Sequence, residues 1–405
     1  MLKSLFNRNH VFLFGISIML FGLLYSRAMI SIGVMVIGLN GIIHPNYKLL
    51  IQKLFKQPLL QLWMLVWFIH LLSGFNSENT QIWLAKVMMK LPFLLLPFAT
   101  LSIDHKKLKG HWLANILLCF TVLLCISTWP SCLELIYNFE EVLFKYSQGK
   151  VLSTPINHIR YSILIAFMCL VQFYYYSKSR QLINLILAAY LFVFIHLLAV
   201  RSGLFCLYGA MVFLLFWYSI EHKKWRLLLL GTFSLALIGT IVIKTVPTLN
   251  QKVNYMLWDI EQRNNKMHQA NYSDSKRLIS YELGFKVWKE NFFWGTGIGD
   301  LKAQMQDKYL TDYPSFEVEN MLMPHNQFMR YAAAFGVLGG LAFIFISIYP
   351  FFLRRVSYLI VLFNVIMILS FLIEGTLENQ IGMNMFMVFN IMLYVMYRNK
   401  MNCES

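Results

Sequence analysis

About twelve apolar runs, most of them 17–25 residues long, leave this chain one class of fold. A run of that length spans the hydrocarbon of a bilayer as a helix. Only helices or closed barrels satisfy their backbone groups there. The runs fall near 10–25, 27–43, 58–74, 82–100, 112–130, 160–176, 181–200, 202–220, 226–245, 326–350, 356–373 and 381–397. The divisions at Arg27 and Arg201 are the narrowest. Composition agrees: of 405 residues, 58% are hydrophobic and 13% charged, too little charge to cover a soluble surface. The expectation is an all-α integral membrane protein with about 12 transmembrane helices and a large helical loop between the ninth and tenth. Residues 1–245 hold the first nine helices, 246–325 the loop, and 326–405 the last three helices and a short tail, in one integral domain. The N-terminal run has no small-residue cleavage site ahead of a soluble domain, so it reads as the first span rather than a signal peptide.

The net charge of +16 follows the loops. Lys3, Arg8, Lys48, Lys53, Lys56, Lys106, Lys107, Lys109, Lys178, Arg180, Lys223, Lys224, Arg226, Arg354, Arg355, Arg398 and Lys400 all fall on one side of the alternation. The short loops of the other side carry Arg27, Arg201 and little else. This is the positive-inside pattern. It puts both termini in the cytoplasm and the 246–325 loop outside, and it explains the basic balance without nucleic acid. The six cysteines (Cys119, Cys125, Cys132, Cys169, Cys206 and Cys403) are scattered and form no metal-ligand or disulfide pattern. Asp259 and Glu261 make a D-x-E whose side chains diverge on a helix, which gives a metal little support.

The 246–325 loop is the one long polar segment. Within it, 275–290 places Leu278, Ile279, Glu282, Phe285 and Trp288 three and four residues apart, which predicts an amphipathic helix that lies on the membrane surface or caps the bundle. Four basic residues map to the outer face, where orientation bias does not account for them: Arg160, Arg201, Arg277 and His325. Each alone also reads as interface snorkelling. Arginine's planar fork suits phosphate. Arg277 opens a helix, against its dipole, so either a bound anion or a pairing with Asp274 or Glu282 accounts for it. His325, beside Asn326 at the start of a span, suits proton transfer near neutral pH. His44, His70, His105, His196 and His222 read as structural. Gly295-Thr296-Gly297-Ile298-Gly299 reads as a tight turn or as backbone contact to a phosphate. Glu374 and Glu378, four apart in the last outer loop, either bind an acceptor or balance an arginine. Lys86 and Lys90, in apolar surroundings, either reach a cavity or snorkel.

These residues, in this order, resemble a known family. Arg201-Ser202-Gly203 lies between two spans, Ser273 precedes Arg277, Trp294-Gly295-Thr296-Gly297-Ile298-Gly299 follows a helix, and His325-Asn326 precedes Gly336. Together with Asn157-His158-Ile159-Arg160-Tyr161-Ser162 they look like the O-antigen ligase and polymerase superfamily, over most of 155–395. The resemblance implies a membrane-embedded, GT-C-like glycosyltransferase without cofactor or metal. Its donor would be an undecaprenyl-diphosphate-linked glycan on the periplasmic side of the bacterial inner membrane. Its acceptor would be lipid A–core, another lipid-linked glycan, or a protein hydroxyl. Carried over, Arg201 and Arg277 match the diphosphate-contacting arginines, and His325 matches the base or acceptor orienter. Arg160, Asn326, Gly297, Gly299 and Glu374 are expected to line the substrates. The mechanism implied is an inverting single displacement, with three arginines and one histidine meeting in a pocket open to the exterior. The rival class is a polysaccharide transporter or flippase, which would place charges near the midplane and broken helices in paired halves. The basic residues here sit at outer ends, and no halves are in register.

Overall fold

The structure, a computed structural model, describes residues 7–104, 107–108, 110–147, 150–264, 273–314 and 316–404. Lys3, His105, Lys106 and Lys109, and the side chains of Asp259, Ser273, Asp274 and Cys403, lie outside the described residues. Among the described residues every regular element is a helix. Among the described residues, nine helices are long and apolar enough to cross a membrane. Arg27–Ile42 with Tyr47–Phe55 forms a bent pair that passes the same test. Leu182–Leu198 and Tyr358–Ile373 are shorter apolar helices. Each expected span therefore has its counterpart. The protein is an all-α, multi-pass membrane protein.

The narrow divisions have local causes. Ser26 is extended (φ −157°, ψ 115°) and its hydroxyl caps Met29 N at 3.4 Å, so Arg8–Tyr25 ends and Arg27–Ile42 begins across one residue. Ala199 is left-handed (φ 52°) and Val200 extended, which separates Leu182–Leu198 from Arg201–Glu221. The expected fourth span is broken. Thr80–Met89 stops at Lys90, and Pro92 starts Pro92–Thr100 at a position where its missing N–H costs nothing.

The chain divides into two compact units. The first comprises Met1–Ile116, Gln269–Ile360 and Phe371–Ser405. At one of its ends, Asp300 accepts hydrogen bonds from Glu78 N (2.6 Å) and Asn79 N (2.9 Å), and Gln380 donates to Arg27 O (3.1 Å). At the other, Asn9 donates to Asp104 O (3.0 Å), Lys53 to Leu101 O (3.2 Å) and Asn399 to Leu108 O (2.7 Å). Within this unit the cation-poor loops thus gather at one end and the cation-rich loops at the other, as the charge alternation requires.

Helix Ser273–Glu290 caps this unit by packing on Gln327–Ile348. Its face differs from the expected one. Ser275, Ile279, Ser280, Leu283, Gly284 and Val287 are buried, while Phe285 is 48% exposed. Small residues win because the close neighbour is backbone-proximal: a Cβ on Gly284 would lie 2.6 Å from Pro324 Cγ. Periodicity of bulky residues cannot register such a contact.

The second unit comprises Leu117–His268 and Val361–Ser370. Buried hydrogen bonds tie its helices: Tyr161 to Ser127 (2.8 Å), and Gln172 to Thr121 (2.6 Å). Glu134 accepts from Lys145 (2.7 Å) and Ser153 N (3.0 Å), which steers the chain toward His158–Ser179. Trp225–Thr245 has no buried residue, the exposure of a helix whose solvent is lipid.

Candidate active site

Three sequence-expected residues meet in the first unit. Pro324-His325-Asn326 is held ahead of Gln327–Ile348 by main-chain contacts. Tyr281 donates to His325 O (2.7 Å), and Arg330 Nε donates to Pro324 O (2.6 Å). Both ends of the Asn326 amide are engaged: Oδ1 caps Met329 N at 3.0 Å, and Nδ2 donates to Leu372 O at 3.1 Å. This is the geometry of an N-cap. With its backbone clamped, His325 turns its ring to Glu374, with Nδ1 3.3 Å from Oε2. The other carboxylate oxygen of Glu374 accepts from Arg277 Nη2, also at 3.3 Å.

Glu374 is buried, at 3% exposed, whereas the Arg277 and His325 side chains keep 31% and 21% of their surface. A carboxylate only accepts hydrogen bonds, so Nδ1 of His325 is the donor in this contact, and Nε2 is left as the ring nitrogen not engaged by Glu374. Arg277 gives one nitrogen to Glu374, with a fork of five donor hydrogens in all. Its observed partner is Glu374, whereas Glu282 pairs with Lys286 at 2.9 Å. Burial pushes the neighbouring Tyr281 phenol up.

The glycine-rich turn is tied to a break in Gln327–Ile348. Gly336 stands at φ 69°, ψ −171° inside that helix. The break frees the carbonyls of Ala333 and Ala334, which accept from Thr296 N (2.9 Å) and Gly297 N (2.9 Å). Val337 N donates back to Phe292 O (2.8 Å), and Gly299 N donates to Ser77 Oγ (3.1 Å). The amides of Gly297 and Gly299 therefore have intramolecular acceptors, and the turn holds the loop to the helix that follows His325.

Glu378 forms a second cluster in the same unit. It meets Lys86 Nζ at 3.3 Å, Lys90 Nζ at 3.8 Å and Gln327 Nε2 at 2.9 Å. Burial alone would raise its carboxyl, but Lys90, Lys86 and Arg330 outweigh that and hold it well below the usual carboxylate range. Lys86 and Lys90 thus reach an interior carboxylate. Arg330, which the sequence reading passed over, sits against the Gly375 backbone: a Cβ there would lie 2.8 Å from its Cζ. Its signal in the sequence was a cation one turn inside an apolar run.

Arg160 and Arg201 lie in the second unit, at the first turns of His158–Ser179 and Arg201–Glu221. These helices pack with a Cβ on Gly203 only 2.4 Å from Ser162 Cβ, so Gly203 and Ser162 bring the two arginine-bearing ends together. Arg160 Nη1 donates to the Asn157 cap at 3.2 Å. The structure therefore joins the expected residues as two sets, Arg277–Glu374–His325 in one unit and Arg160 with Arg201 in the other.

Residues 185–344 match a family described as O-antigen ligase, a segment that contains Arg201, Arg277 and His325. The O-antigen ligase of Salmonella typhimurium is 25% identical over 207 residues, 49% of this chain and 48% of that protein. The match thus spans about half the length of that curated relative. The motif order, the helical membrane architecture and both matches make the chain similar to the O-antigen ligase superfamily.

Proposed function

We propose that this protein transfers a glycan from an undecaprenyl-diphosphate carrier to an acceptor hydroxyl on the periplasmic side of the bacterial inner membrane, as an O-antigen ligase acting on lipid A–core. The observation that carries the proposal is the Glu374 carboxylate held between Arg277 and His325. His325 Nε2 takes the acceptor proton as the hydroxyl oxygen bonds to the anomeric carbon. The anomeric carbon–oxygen bond breaks, and its electron pair leaves with the carrier diphosphate. Arg277 faces the charge that develops on the diphosphate, which is where preorganised donors lower a barrier most. Glu374 fixes the His325 tautomer and orients Arg277. Arg160 and Arg201 serve as the anion contacts of the second unit. The displacement is inverting and is assigned no metal.

The test is a defined reconstitution: purified protein, a lipid-diphosphate-linked glycan and candidate acceptors, with product analysis. Glycan joined to lipid A–core supports the ligase. A lengthened lipid-linked glycan or a glycosylated protein would reassign the acceptor within the superfamily. Movement of the lipid-linked glycan across the bilayer without transfer would overturn the transferase reading.

A further inference from the structure

A small cavity of the first unit reaches Arg330, whose guanidinium packs on the Gly375 backbone. It has a volume of about 120 Å³ and is lined by Lys86, Lys302, Arg330, Tyr331 and Glu378 and by as many apolar residues, Phe335 among them. Of the lining residues, Ile82 and Lys302 are exposed. Lys90, fully buried, closes on Glu378 from behind and donates to Leu377 O. Three cations thus face the cavity against one carboxylate, and that carboxylate already meets Lys86, Lys90 and Gln327. The Tyr331 hydroxyl, on a residue 1% exposed, has no hydrogen-bond partner among the described residues.

Charge uncompensated in an apolar bundle is expensive, and so is an orphaned hydroxyl. An oxyanion in the chamber removes both costs, because it supplies negative charge to the cations and an acceptor to Tyr331. The volume admits about four waters or one tetrahedral oxyanion. Ammonium and guanidinium groups both bind phosphate, the latter in a paired geometry. We infer that this chamber is a second anion subsite, which takes a phosphate group of a membrane-borne substrate. Its assignment to a substrate rests on the proposed glycan transfer; its ability to bind phosphate does not.

The test measures binding to the full chain in phosphatidylcholine nanodiscs, by thermal shift, with two probes: phosphatidic acid in the bilayer and inorganic phosphate in solution. The expected result is a rise in Tm with phosphatidic acid, with affinity at least tenfold weaker in Lys86→Gln and Lys302→Gln. Affinity should be tighter in Glu378→Gln, which removes the competing carboxylate. Lys302 is exposed, so its variant keeps the test available if Lys86→Gln fails to fold. Binding of inorganic phosphate with the same variant pattern also supports the subsite; binding of inorganic phosphate alone overturns its assignment to a lipid-borne group. No binding, or binding that all three variants leave unchanged, overturns the subsite. Transfer is assayed on the same preparations. Transfer without phosphate binding removes the chamber alone, and phosphate binding without transfer removes the transferase reading alone.

Discussion

Oε2 of Glu374 lies 3.3 Å from Nδ1 of His325, across 49 residues of sequence. The same carboxylate reaches Arg277, 97 residues away, at 3.3 Å. In the proposed mechanism this buried carboxylate sets the tautomer of His325 and the direction of Arg277.

Glu374→Gln keeps the shape and removes the charge. The amide no longer fixes the proton on Nδ1, so His325 is left to either tautomer. Transfer should fall by about 10²-fold or more, within the range that general base catalysis supplies. The loss should appear in kcat rather than in donor KM. Steady-state kinetics of the purified variant check this, and an unchanged kcat removes Glu374 from the mechanism.

Arg277→Ala should abolish transfer while membrane insertion remains intact. Arg277→Lys restores the charge and loses the planar fork, so it should recover only part of the rate. Transfer assays on both variants, with size-exclusion profiles as the folding control, distinguish a phosphate contact from a structural ion pair. Equal loss of folding in both would favour the ion pair.

Gly336→Ala should destabilise the protein without touching substrate. A Cβ at Gly336 would lie 2.0 Å from Phe293 O, on a backbone at φ 69°. The strained conformation alone costs about 1 kcal/mol or more, and the clash adds to it. A lowered Tm in detergent or nanodiscs checks this. An unchanged Tm would contradict the tie between the glycine turn and the helix break.

Glu378 gives a pH prediction. Its folded-state carboxyl is held below the ordinary glutamate value of about 4.3 by Lys90, Lys86 and Arg330 against the effect of burial. A group depressed on folding stabilises above its unfolded value, and that stability is lost as pH falls through the folded value. Tm should therefore drop as pH is lowered below about 4.3, and Glu378→Gln should flatten that part of the profile. Thermal melts across acidic pH check the slope.

Much of this was legible in the sequence because membrane helices are written in length and hydropathy. The expected spans each have a helix, and the loops of the first unit gather by their cation content. Arg277 and His325 were legible as unexplained cations at the cation-poor end. Glu374 was legible only as a carboxylate that either binds an acceptor or balances an arginine; its partner needed the fold. What stayed hidden depends on close backbone approach. The buried face of Ser273–Glu290 follows Ser280 and Gly284, which hydrophobic periodicity does not weigh. The glycine-rich turn and Gly336 looked like separate motifs, yet they share hydrogen bonds through Ala333 and Ala334. Asn326 was legible as the neighbour of His325, whereas the cap its amide forms on the following helix needed the fold.

The most direct test of the central claim is single-turnover transfer by purified His325→Ala from a lipid-diphosphate-linked glycan to its acceptor. The account predicts a rate lower by about 10²–10⁴-fold, with donor binding retained. Transfer at the wild-type rate would contradict it.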